Sequence, residues 1–171
     1  RICIIDTGID NSVVNFSYGY DFVNDDDDPF DDHGHGTQVA SVVREIAPDA
    51  ELIVAKVLDE DGNGYESTVL KGLRYCVKQD PDIILFSIGT TATTPGFCDS
   101  NKVAAECNKA VDNGIFVVAA SGNDGSKNLT CPACASNVVS VGATDDFDEI
   151  SNFSNVNPTL DLFAPGENIT T

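Results

Sequence analysis

Ile2-Cys3-Ile4-Ile5 is wholly apolar, and Asp6-Thr7-Gly8 ends the run abruptly. A strand with no polar face must be covered on both sides, and parallel sheets are where such strands occur. Further short strands are expected at Tyr18 to Val23, Leu52 to Leu58, Ile83 to Ile88, Ile115 to Ala119, Val138 to Val141 and Leu160 to Phe163. Helical spacing of apolar residues falls between them, over Thr37 to Ile46, Ser67 to Val77 and Lys102 to Asp112. Val39, Val42, Val43 and Ile46 mark the first, and Thr37 suits its cap position. Strands alternating with helices of this length imply an α/β fold: a doubly wound, mostly parallel sheet with helices on both faces. Periodicity alone leaves a flavodoxin-like domain equally open.

The chain has 171 residues, one domain's worth, and no apolar run approaches the roughly 20 residues of a membrane helix. It opens on Arg1 and enters a strand at once, so it reads as a mature or trimmed piece. A net charge of −19 repels phosphate backbones, which argues against nucleic acid as a partner. Six cysteines and sequons at Asn15, Asn128, Asn152 and Asn168 fit a secreted, extracytoplasmic setting.

Cys131-Pro132-Ala133-Cys134 has the spacing of half a zinc site. Cys98 and Cys107, separated by eight residues, lack it, so disulfides are the better reading. Cys3, inside a core strand, is expected to be a buried thiol.

In open α/β sheets, functional groups gather past the carboxyl ends of strands. Asp6 lies at one such end, Ser87-Ile88-Gly89 at another, and Ser121-Gly122-Asn123 at a third. His35 stands between Gly34 and Gly36 just before a helix, where small neighbours let a substrate approach its ring. These segments resemble a subtilisin-family serine protease, a subtilase. Ile4-Ile5-Asp6-Thr7-Gly8-Ile9 is similar to the segment of the family's catalytic aspartate. His35-Gly36-Thr37-Gln38-Val39-Ala40 is similar to that of the histidine, and Val118-Ala119-Ala120-Ser121-Gly122-Asn123 to the oxyanion segment. Pro132-Ala133, Val139 to Ala143, Phe153-Ser154-Asn155 and Phe163-Ala164-Pro165-Gly166 resemble later landmarks, in family order.

The resemblance implies a serine endopeptidase in which His35 is the base, Asp6 orients it and Asn123 donates to the oxyanion. His33, two residues before, is expected to be a loop or rim residue. The family's nucleophile lies in a Gly-Thr-Ser-Met-Ala type segment, and no serine here stands in one. Residues 1–171 are therefore expected to be part of a catalytic domain, inactive alone, with the serine beyond them. A catalytically inactive binding or scaffold module is the second reading.

The resemblance further implies that polypeptide substrates add as an extended strand to Ser87, Ile88 and Gly89, with Gly62, Asn63 and Gly64 on the other side. Ala119, Ala120, Ser121 and Gly122 would line the first specificity pocket. A pro-segment inhibitor is an implied partner. The resemblance also implies a Cys98–Cys134 disulfide and a structural Ca²⁺ held by Asp21, Asn24, Asp26 and Asp28. That loop carries seven acids among the twelve residues from Asp21 to Asp32.

Overall fold

A computed structural model describes residues 1–170, which fall into two compact units, 1–87 and 88–170. The first contains β1 (Ile2–Asp6), β2 (Tyr18–Asp21), α1 (His35–Ile46), β3 (Leu52–Lys56), α2 (Glu66–Lys78) and β4 (Ile83–Phe86). All four strands are parallel, in the order β2-β3-β1-β4, and Cys3 to Asp6 of β1 are buried.

Successive side chains of a strand point to opposite faces, and β1 uses both. Ile4 enters an apolar cluster with Ile9, Val14, Leu52, Val54 and Ala40 of α1, against which Val39 and Val43 also lie. Cys3, on the other face, is bonded to Cys76 of α2. Helices therefore cover both faces of these strands, the doubly wound arrangement expected. The disulfide corrects the expectation of a Cys3 thiol: α2 crosses directly over the strand, and Gly72 brings the helix down onto Val57 and Ala55.

Helix α1 begins at His35, two residues earlier than its apolar pattern indicates, and Ile46 is exposed rather than part of the buried stripe. Thr37 is not the cap. Gly34, at φ +101°, holds that position without a side chain. The orphan N–H groups go to Asp31 instead, whose carboxylate accepts from Gly34 N at 2.8 Å and Thr37 N at 2.8 Å.

The second unit contains β5 (Thr93–Thr94), α3 (Lys102–Asp112), β6 (Phe116–Ala120), β7 (Leu129–Thr130), β8 (Val139–Thr144) and β9 (Leu162–Pro165). Strands β6, β8 and β9 are parallel neighbours in that order, and β5 pairs with β7 antiparallel. Asn101 caps α3 by accepting from Val103 N and Ala104 N, and the helix buries Val103, Ala104, Cys107 and Ala110. Cys98 and Cys134 form the disulfide that the resemblance implied. Among the described residues, no helix is long and apolar enough to cross a membrane.

Candidate active site

β1 delivers Asp6 to its carboxyl end with 1% of its surface exposed, and α1 opens with His35. His35 Nδ1 stands 2.7 Å from Asp6 Oδ1, and the same oxygen accepts from Thr7 N at 2.7 Å. The carboxylate thus fixes one ring nitrogen and leaves the other edge of a ring 39% exposed. The hydrogen bond that His35 donates to Asp6 raises its pKa above the ordinary imidazole value. Burial opposes the rise, and the negative charges of Asp6 and Asp31 add to it.

Asp31 ties the two segments together, a role that the sequence analysis missed. Its carboxylate accepts from Thr7 Oγ1 at 2.8 Å on the strand side and from Thr37 Oγ1 at 2.6 Å on the helix side. Thr7 Oγ1 in turn accepts from Gly36 N at 2.9 Å, and Thr37 Oγ1 accepts from Asp10 N at 2.9 Å. Burial pushes the Asp31 pKa up, but hydrogen bonds from Thr37, Gly34 and Thr7 outweigh it and leave it below the usual carboxylate range. Lys56, 1% exposed and level with Asp6 in the β1–β3 register, donates to Thr7 O at 2.7 Å and Asp32 Oδ1 at 2.6 Å. Aspartates followed by a cap-like stretch are common in loops, so the sequence carried no distinct signal for Asp31.

His33 is exposed, and its ring lies beside Gly62. Gly62, Asn63 and Gly64 form a tight turn after β3, with Gly62 at φ +73°. Asp59 N donates to Asn63 O at 2.8 Å and Gly62 N donates to Asp59 O at 3.0 Å. Asn63 and Gly64 border an open pocket of about 270 Å³, together with Tyr65, Phe22 and Val23. Ser87 follows β4 and is half-buried.

In the second unit, Ile88 is half-buried and Gly89 lies against the Thr130 side chain. Ala119 and Ala120 end β6, and Ser121 N donates to Val141 O at 2.9 Å. Gly122, at φ +112°, packs on Asn155 and Thr130 with no room for a side chain. Asn155 is completely buried. Its Oδ1 accepts from Asp124 N and Ser126 N, both at 2.9 Å, and its own N–H donates to Gly122 O at 2.9 Å. This side chain thereby shapes the loop on which Asn123 is exposed. The sequence shows Asn155 only as part of a landmark; its hub role needs the fold.

In the acidic loop, Asp21 is buried and Asp26 and Asp28 are exposed. Asp21 Oδ1 accepts from Val23 N and Asn24 N, and Oδ2 accepts from Asn24 Nδ2 at 3.0 Å. Asp26 Oδ1 accepts from Asp28 N at 2.9 Å. These carboxylate oxygens accept from N–H groups of the loop itself. Among the described residues, the sulfur atoms of Cys98, Cys131 and Cys134 lie within 4.8 Å of one another.

The Subtilase family model matches residues 1–171. The chain is 35% identical over 181 residues to the minor extracellular protease Epr of Bacillus subtilis (strain 168), covering 99% of this chain and 27% of the relative. It is also 35% identical over 192 residues to the major intracellular serine protease of the same organism, covering 99% and 58%. The crystal structure of a cold adapted subtilisin-like serine proteinase superposes with a TM-score of 0.87 at 31% identity, over 98% of this chain and 63% of that one. A lanthipeptide protease follows with a TM-score of 0.84 at 26% identity, over 96% and 54%. The chain therefore spans little more than a quarter to a little under two thirds of these proteins. Its sequence over the whole of residues 1–171 and its α/β architecture agree, and the chain belongs to the Subtilase family.

Proposed function

We propose that this chain supplies the aspartate, the histidine and the oxyanion donor of a serine endopeptidase. The observation that carries the reading is the buried Asp6 carboxylate bonded to His35 Nδ1 at 2.7 Å in a chain of this family. Asp6 keeps the ring proton on Nδ1, so Nε2 can take the proton of a serine hydroxyl as that oxygen attacks the peptide carbonyl. Asp6 then stabilises the imidazolium, which returns its proton to the leaving amine. The Asn123 amide is assigned to the tetrahedral oxyanion by family resemblance, a donor worth roughly 10²–10³ in turnover. The serine itself is assigned to a segment outside residues 1–171.

Polypeptide substrates are proposed to bind extended, along Ser87 to Gly89 and Gly62 to Gly64, with Ala119 to Gly122 at the first specificity pocket. A pro-segment would occupy the same strand position. Two disulfides favour an extracytoplasmic setting. Calcium is proposed for Asp21, Asn24, Asp26 and Asp28 as a structural ion. Turning the Asn24 amide would present its oxygen beside Asp21, with Asp26 and Asp28 added from the exposed loop.

The deciding experiment is fluorophosphonate labelling of the full-length protein beside its His35→Ala variant. Labelling of the first and not the second is expected. No labelling of either, or equal labelling of both, overturns the reading; the former leaves a binding or scaffold module.

A further inference from the structure

The sulfur atoms of Cys98, Cys131 and Cys134 lie within 4.8 Å of one another, all buried. Cys98 and Cys134 are joined, and Cys131 remains a thiol. In a tetrahedral zinc site each sulfur stands about 2.3 Å from the metal, so two sulfurs are roughly 3.8 Å apart. Three sulfurs already gathered this closely need only small side-chain rotations to meet one ion. We propose that reduction of the Cys98–Cys134 bond converts this cluster into a three-thiolate site for zinc, so that a metal replaces the disulfide as the cross-link.

The backbone holds the cluster without the disulfide. Cys98 N donates to Cys134 O at 2.9 Å, and Cys134 N donates to Thr130 O at 2.9 Å. Asp99 Oδ1 accepts from Ser136 N at 2.9 Å, a second tie between the two cysteine segments. Thr90 and Cys131 exchange two bonds, Thr90 N to Cys131 O at 3.0 Å and Cys131 N to Thr90 Oγ1 at 3.1 Å. Breaking one S–S bond therefore leaves the sulfur positions supported.

Cys131 Sγ donates to Asn101 Oδ1 at 3.3 Å, and Asn101 caps α3, an eleven-residue helix. Cys131-Pro132-Ala133-Cys134 supplies the short pair spacing of zinc sites, and Cys98 adds the third ligand from another segment.

The chemistry balances with a dithiol as reductant. It gives two electrons and two protons to the Cys98–Cys134 bond, which becomes two thiols while the dithiol closes into its own disulfide. Zn²⁺ then forms three Zn–S bonds and three protons leave. Water completes the fourth position.

The test compares the full-length protein with its Cys131→Ser variant, which retains the Cys98–Cys134 pair. Both are melted oxidised, reduced, and reduced with one equivalent of zinc. Cys3–Cys76 is reduced in both proteins alike and cancels. Reduction should lower both melting temperatures, and zinc should raise that of the unsubstituted protein by about 5 °C or more while leaving the variant unmoved. Equal recovery in both proteins, or none in either, overturns the proposal. A Co²⁺ titration of the reduced unsubstituted protein needs no variant. One equivalent giving a charge-transfer band of three-thiolate intensity supports the site, and a band of two thiolates or fewer overturns it.

Discussion

Gly36 rests on the carbonyl oxygen of Gly8, so closely that a β-carbon at position 36 would collide with that backbone atom. The first turn of the histidine helix is thereby laid directly on the loop that follows the aspartate strand. The same approach brings Gly36 N to Thr7 Oγ1 at 2.9 Å and sets the span across which Asp6 reaches His35.

Gly36→Ala should push α1 away from β1. A destabilisation of about 1–3 kcal/mol is expected in denaturant melts, with a loss of roughly 10² in kcat because the imidazole is displaced. A variant with unchanged kcat would show that this contact does not set the site.

Asp6→Asn leaves the packing in place but removes the acceptor that fixes the ring. Turnover by the full-length protein should fall about 10⁴-fold. With His35 in the proposed role of base, its raised pKa should place the acid limb of the kcat/KM profile above the ordinary imidazole value of about 6.5, since a base works only when neutral. In the Asn variant that limb should move to lower pH. The stability sign is opposite: protonated His35 gains from Asp6, so this contribution is complete below about pH 6.5 and is lost as pH rises through the folded value.

Asp31→Asn tests the link between the strand and the helix. Loss of a charged acceptor for Thr7, Gly34 and Thr37 should cost about 1–2 kcal/mol at pH 7. Because the folded Asp31 pKa is lowered, its contribution is present above the ordinary carboxylate value of about 3.9 and is lost as pH falls from there towards the folded value. Urea titrations at neutral pH and near pH 3 should therefore show a variant deficit that shrinks in acid.

Calcium is tested by melting the protein with millimolar calcium and with chelator. A rise of several degrees that Asp21→Asn or Asp26→Asn abolishes is expected, about 3–6 °C. Coincident melting curves would leave the acidic loop as a solvated turn held by its own hydrogen bonds.

Much of the fold could be read from the chain because buried parallel strands are almost purely apolar. Ile2 to Ile5 needed little more than its composition, the strand expected at Ile83 to Ile88 is present but ends at Phe86, and α3 begins and ends where its spacing indicates. The short antiparallel pair β5–β7 left no such trace, since two residues per strand carry no period. Cys98–Cys134 was accessible through family resemblance, whereas Cys3–Cys76 depends on where α2 crosses β1. Asp6 stood out at the carboxyl end of an apolar strand, and His35 through its glycine neighbours. Asp31, Lys56 and Asn155 did not, because a polar residue buried by its partners looks, in sequence, like one facing water.

The Cys3–Cys76 bond closes a ring that contains Asp6, His35, the exposed acidic loop and the turn at Gly62 to Gly64. Peptide bonds in those exposed segments are the ones a neighbouring protease molecule would cut. A single nick anywhere inside the ring leaves two fragments still covalently tethered, visible as separate bands on a gel only after reduction. Damage at the surface then becomes a change of connectivity, and Asp6 and His35 stay within one covalent molecule.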